Sequence, residues 1–247
     1  MTDRIDMSNH AEDRPVIEVV DPEAERKELL GDYEPEEFKK ELGVDPKAMI
    51  SPKKPEPELH KGTCMAVLTH KGVFSPPECT QIIKDNDNDW RASAVQEHGS
   101  SDIPFIKDDI RTSSQTWVEQ VKENLWLFDK MLALTMAANK EFQFDIDFFE
   151  ALQLARYETG QFYTKHIDMG AGHMGNRKLG ISVQLSDPDT YEGGDIVCDN
   201  NGHDFIAPRE LGSVTVFPSF MPHQVTPVTK GTRYSLVVWA SGKQRFR

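Results

Sequence analysis

The sequence predicts a mostly β chain with flanking helices and a jelly-roll core. Three observations point that way. From about residue 150 the hydrophobic period changes from helical to strand-like. The segments there are about five to eight residues long, ordinary for strands. Turn residues divide them: Glu158-Thr159-Gly160, Asp187-Pro188, Glu192-Gly193-Gly194, Asn201-Gly202 and Lys230-Gly231. Helical patterns precede this block, and in such an order they would buttress the outside of one sheet.

Taken in order, residues 1–62 read as an acidic, proline-rich leader. Residues 1–60 hold 17 Asp/Glu against 9 Lys/Arg, which is −8 of the chain's formal −13, and 7 of its 15 prolines. So little apolar surface cannot offset the entropy of ordering, so the leader is expected to be flexible. A short helix at Pro35–Leu42 and an extended linker at Ser51–Pro57 are expected within it. The ordered part is expected from about Thr63, with a strand at Met65–Thr69. A helix should open at Ser75-Pro76-Pro77-Glu78, where a Ser cap, proline in the first turn and Glu three residues on coincide. Trp117, Val121, Leu125, Phe128 and Leu132 form one apolar stripe and predict a long helix over Ser113–Lys140.

Eight strands are expected next: Ala151–Tyr157, Gln161–Asp168, Leu179–Ser186, Asp195–Cys198, His203–Ala207, Ser213–Phe217, His223–Val228 and Arg233–Ala240. Eight strands suit a two-sheet roll whose interior can hold a ligand or a metal. The organisation expected is therefore a leader at 1–62 and one domain at 63–247, with supporting elements at 63–150 and the roll at 151–247.

Composition excludes some functions. The acidic balance argues against nucleic acid or an anionic membrane as partner, since phosphate contacts need clustered Lys/Arg. No apolar run approaches the ~20 residues that span a bilayer, and Met1 to His10 lack the apolar stretch of a secretory signal. Cys64, Cys79 and Cys198 are odd in number and far apart, which reads as reduced thiols in a cytoplasmic protein.

The chemistry centres on His166-Ile167-Asp168. On a strand, residues two apart project to one face, so this imidazole and carboxylate can grip one ion together. His223, opening a late strand, is the candidate third ligand. Two His and one carboxylate leave the opposite positions open, which suits iron(II). Zinc is the rival, because such sets also occur in hydrolases, but no HExxH helix exists here. Arg233 lies ten residues beyond His223 in an apolar strand. It would either form an internal salt bridge or hold a ligand carboxylate in a bidentate grip. Residues 169–178, rich in glycine, suggest a mobile loop at the mouth, with His173 a loop histidine rather than a fourth ligand.

These residues lie in longer motifs. They are Arg156–Asp168 (RYETGQFYTKHID), Leu185-Ser186-Asp187-Pro188, Tyr191-Glu192-Gly193-Gly194-Asp195, Gly212–Ser219 (GSVTVFPS), His223–Val228 (HQVTPV) and Gly231–Leu236 (GTRYSL). In that order they resemble the PKHD-type, prolyl 4-hydroxylase-like branch of the 2-oxoglutarate/Fe(II) oxygenases over roughly residues 150–240. Asp109–Ser113 (DIRTS) resembles a piece upstream in the same group. The resemblance implies a double-stranded β-helix, cupin-like, with His166, Asp168 and His223 as catalytic metal ligands. It implies Fe(II), with 2-oxoglutarate and O₂ as cosubstrates and ascorbate as a candidate accessory. Arg233 and Tyr157 would bind 2-oxoglutarate, and Tyr163 would line the substrate channel unless it is core packing. Gly193-Gly194 would serve a tight turn. Oxygen-sensing prolyl hydroxylases place a Tyr on the strand corresponding to Leu179–Ser186, where Val183 is aligned here.

The activity implied is hydroxylation of a C–H bond coupled to oxidative decarboxylation of 2-oxoglutarate, on a prolyl side chain of a protein or peptide. Alternatives are the same chemistry on a small molecule, or a non-catalytic jelly-roll binding module. The acidic leader is a candidate docking segment for a partner.

Overall fold

The computed structural model describes residues 16–18, 66–95, 106–200 and 202–245. The helix expected at Pro35–Leu42, the linker at Ser51–Pro57, Cys64 and the expected start at Thr63 lie outside them. Within the leader, β1 (Val16–Glu18) is a short strand antiparallel to a later one at Phe148–Glu150.

β2 (Leu68–His70) precedes α1 (Pro76–Asp85). The cap forms as the spacing implies: the Glu78 carboxylate accepts from the backbone N–H and the hydroxyl of Ser75, at 2.7 and 2.8 Å. After β3 (Arg91–Ala92), the expected long helix is replaced at its start. Ser114–Trp117 is a strand, β4, and α2 runs only over Leu125–Phe142. Trp117 and Val121, assigned to the stripe, are exposed at 37% and 42%. The face turned inward carries Leu127, Met131, Leu134, Ala138 and Phe142 instead. The reason is local. Leu125-Trp126-Leu127-Phe128 is apolar on every side, so periodicity leaves the phase of the helix open, and packing chooses it.

The β block follows as β5 (Phe148–Glu150), β6 (Gln153–Glu158), β7 (Tyr163–His166), β8 (Arg177–Gln184) and β9 (Tyr191–Gly193). It continues with β10 (Ile196–Asn200), β11 (His203–Ile206), β12 (Val214–Pro218), β13 (His223–Val225) and β14 (Val228–Ser241). All eight expected strands exist. Lys230-Gly231 is not a separator, however. Gly231, at φ +76°, lies inside the 14-residue β14, where its register against β9 shifts. A positive-φ glycine can bulge a strand as well as end it.

Two antiparallel sheets result. The larger runs β2-β12-β8-β14-β6-β4-β3, with β5 and β9 also on β14 and β1 on β5; the smaller runs β11-β10-β13-β7. α1 and α2 cover the outer face of the large sheet. Phe74, Ile82, Leu127 and Met131 pack there with Leu154, Ile181, Val183, Val216, Leu236 and Val238, all 1% exposed or less. Because strand side chains alternate, the intervening residues of β8 and β14 face the other way, into the roll. The mostly β fold with buttressing helices is therefore observed.

Candidate metal centre and its cavity

His166 ends β7 and His223 begins β13, and the two are direct cross-strand partners. Asp168 lies just past β7 and is held by backbone contacts rather than by a ladder. Its N–H donates to Ser219 O at 2.9 Å, and its carbonyl accepts from Arg177 Nη1 at 3.1 Å. Arg177 is itself clamped on both sides by Glu150, at 2.6 and 2.5 Å.

The three side chains converge. His166 Nε2 lies 3.8 Å from Asp168 Oδ1, and His223 Nε2 lies 3.6 Å from Asp168 Oδ2. One donor atom from each lies within 4.8 Å of the others, and this is the one such His/Cys/Asp/Glu group among the described residues. His173 is not part of it.

The set passes a chemical test for a metal. His166 Nδ1 lies 2.8 Å from Thr164 O, and His223 Nδ1 lies 3.0 Å from Met221 O. A carbonyl only accepts, so each Nδ1 carries the proton and each Nε2 presents its lone pair beside Asp168. Two neutral imidazoles and a carboxylate are the donors that suit iron(II) with open positions.

The trio opens on a cavity between the sheets. Arg233, 2% exposed, lines the same cavity. Its guanidinium donates to Gln184 Oε1 at 3.1 Å and Ser235 Oγ at 3.4 Å and also bonds to Tyr191. All three partners are neutral. The carboxylate of Asp195 is taken by Arg209, at 2.6 and 3.0 Å. The internal salt bridge considered for Arg233 is therefore not formed among the described residues. Burial lowers the Arg233 pKa, with Tyr191 and Tyr157 opposing that shift.

Tyr157 is Arg233's cross-strand partner, with the guanidinium 5.7 Å from its ring centroid. Tyr163 stacks on His166 at 3.5 Å between ring centroids, and the Arg111 guanidinium lies over the Tyr163 ring at 4.7 Å from its centroid. Burial pushes the Tyr163 phenol up to about 12, so it remains a neutral hydroxyl on the cavity wall.

Sequence reasoning aligned Val183 with the tyrosine of the oxygen-sensing prolyl hydroxylases. In the structure Val183 packs in the core beneath the helices, and alternation turns Ser182 and Gln184 inward. Gln184 bridges Arg233 to Tyr191, donating to the Tyr191 hydroxyl at 2.8 Å. Neither Gln184 nor Tyr191 was assigned a role from sequence. Strict period-2 counting along β8 would have found the first. Gly193 and Gly194 both have positive φ, +72° and +64°, which confirms the tight turn. Residues 172–176 of the expected mouth loop form a 3₁₀ turn whose Gly175 is buried. Cys79 and Cys198 are free and buried. No helix among the described residues is long and apolar enough to cross a membrane.

Residues 152–241 match the sequence model of the 2OG-Fe(II) oxygenase superfamily. A PKHD-type hydroxylase of Rippkaea orientalis is 36% identical over 92 residues, covering 36% of this chain and 41% of that protein. One from Maricaulis maris is 38% identical over 88 residues, covering 35% and 39%. The chain thus spans about two fifths of the length of these curated relatives. In fold it resembles a Pseudomonas putida prolyl-4-hydroxylase, with TM-score 0.58 at 18% identity over 72% of this chain and 93% of that one. It also resembles a Trichoplax adhaerens prolyl hydroxylase solved with a hypoxia inducible factor peptide, with TM-score 0.55 at 15% identity over 72% and 84%.

Proposed function

We propose that this chain, whose residues 152–241 match the 2OG-Fe(II) oxygenase superfamily, is a 2-oxoglutarate- and O₂-dependent hydroxylase acting on a prolyl side chain of a protein or peptide. The observation that carries the reading is Arg233. A fully buried guanidinium with only neutral partners, in the same cavity as a His₂-carboxylate trio, needs an anion to offset its desolvation.

In this reading His166, Asp168 and His223 would hold Fe(II), which with O₂ would supply the oxidising chemistry that couples decarboxylation of 2-oxoglutarate to succinate and CO₂ with hydroxylation of a C–H bond. Everything else falls to the protein. Arg233 takes the far carboxylate of 2-oxoglutarate in its planar fork. Tyr191 and Gln184 fix that fork in place, and Tyr157 closes the cavity beside it. The backbone carbonyls of Thr164 and Met221 keep both imidazoles in the ligating tautomer. Tyr163 and Trp239 wall the cavity and keep water from the reacting carbon.

The prolyl assignment is favoured by the prolyl hydroxylases among the structures of similar fold. Ascorbate as an accessory reductant, residence in the cytoplasm and partner docking through residues 1–62 belong to the same reading. Comparing partner pull-down by the full chain and by a chain lacking residues 1–62 tests the docking.

The central test is succinate formation from 2-oxoglutarate with Fe(II), in the wild type and in His166→Ala. Turnover in the wild type and its loss in the variant are expected. Absence of both 2-oxoglutarate binding and succinate formation, with every prolyl peptide and small acid tried, would overturn the proposal.

A further inference from the structure

A second buried arginine lines the cavity. Residues 110–112 hydrogen-bond to the β7 segment, through Thr112 N to Phe162 O and Thr164 N to Ile110 O, which places Arg111 beside Tyr163. Arg111 is 7% exposed. Its Nε donates to Ser113 Oγ at 2.7 Å and its Nη2 to Gln153 Oε1 at 3.2 Å, and both partners are neutral. No carboxylate among the described residues lies within ion-pair distance. A guanidinium has five N–H donors, so most of its donors are left for a ligand. The third buried arginine nearby, Arg177, differs in this respect, since Glu150 neutralises it.

Charge balance sharpens the point. With the site loaded as proposed, Fe(II) and Arg233 carry three positive charges, and Asp168 and 2-oxoglutarate carry three negative. Among the described residues lining the cavity, Arg111 is then the one uncompensated charge, and an unpaired buried charge is costly. Trp239 adds a second donor, because its Nε1 is buried without a partner and the residue lines the same cavity.

We propose that Arg111 is a substrate-binding residue that selects a carboxylate on the molecule being hydroxylated. The substrate is thus an acid, either a free small carboxylic acid or a peptide bearing an acidic side chain near the target carbon. Arg111 and His166 share Tyr163 as a neighbour, with the guanidinium 4.7 Å from the Tyr163 ring centroid and that ring 3.5 Å from the imidazole. A carboxylate gripped there leaves a carbon a few bonds away facing the metal trio.

This inference rests on the oxygenase reading, and its test separates the two. Zn(II)-loaded protein is saturated with N-oxalylglycine, an unreactive 2-oxoglutarate mimic, so that Arg233 is occupied. Propionate and its neutral analogue propionamide are then titrated, with binding read by ligand NMR line broadening. The expected result is at least tenfold tighter binding of propionate in the wild type. That preference should vanish in Arg111→Met and also in Gln153→Glu. The latter keeps the guanidinium but supplies a resident carboxylate, and so covers the case in which Arg111→Met does not fold. Equal affinity for the two titrants, or a preference that survives Gln153→Glu, overturns the proposal. Failure of N-oxalylglycine to bind overturns the oxygenase reading first and takes this inference with it. Free L-proline and the blocked peptide acetyl-Pro-Asp-methylamide, added in competition, separate the two sources. The one that displaces propionate at lower concentration names the source.

Discussion

Gly180 lacks a side chain because Asp168 occupies the space where one would stand. A Cβ there would lie 2.7 Å from Asp168 Oδ2 and 2.8 Å from Phe217 Cε2. Neither neighbour can give way freely, since Asp168 is fixed at its backbone by Ser219 and Arg177 and Phe217 is buried. Gly180→Ala should therefore weaken metal binding by about 10–100-fold, the range seen for lost outer support. Zn(II) titration with the far-UV spectrum unchanged checks this. Arg177→Met removes the bond to the main-chain carbonyl of the same Asp168. It strands Glu150 as a buried unpaired charge, so a loss of about 3–5 kcal/mol in unfolding free energy is expected, read by urea denaturation. Much at this scale was visible in the sequence. The structure brings His166, Asp168 and His223 together and puts Arg233 in the same cavity, and sequence could single them out because ligand chemistry restricts which residue types can serve. Gln184, Tyr191 and Arg111 were not assigned, because Gln, Tyr and Arg have many structural uses and only their neighbours reveal which applies.

At the scale of elements, α2 separates the face suggested by sequence from the face used. Leu127 is 1% exposed and Phe128 only half-buried. Leu127→Ala should cost about 2–5 kcal/mol and Phe128→Ala less, by thermal or urea unfolding. The reverse order would restore the phase read from periodicity. α1 gives a pH-dependent test. Burial alone would raise the Glu78 pKa, but the bonds from Lys130 and Ser75 outweigh it and hold the carboxyl below its usual range. Its folded pKa is thus depressed, so its stabilisation is present above the unfolded pKa of 4.5 and is lost as pH falls through the folded value. Glu78→Gln should lower stability at neutral pH, and its difference from the wild type should shrink on acidification below that range. β4 shows why the helix expected from Ser113 fails at its start. Ser114–Trp117 completes the sheet by pairing with β6, and a sheet edge outweighs a weak local helical preference.

Over the whole molecule, the metal centre is where the two sheets are tied together. His166 and His223 belong to the small sheet, while Asp168 is tethered to Ser219 just past β12 and to Arg177 on β8, both of the large sheet. An ion bound by all three is a cross-link that the unfolded chain lacks. At 100 times its dissociation constant such a ligand stabilises by about 2.7 kcal/mol, or roughly 5–10 °C in Tm for a domain of this size. Zn(II) should therefore raise the melting temperature of the wild type by about that much and leave Asp168→Ala unmoved. Equal shifts in both would place the metal elsewhere.

The sequence by itself determined the class of fold, the strands of the roll and the four residues of strongest chemistry. Period-2 alternation and turn residues are local properties, and the metal and carboxylate donors come from a short menu of side chains. Only the tertiary structure decided which face of α2 is buried and that residues 114–117 are strand. It also turned Gln184 rather than Val183 toward Arg233, and left both Arg233 and Arg111 without a carboxylate among the described residues. Each of those outcomes depends on which distant segments pack together. Desolvation makes a buried charge informative only once its neighbours are known, and neighbours far apart in the chain are set by folding.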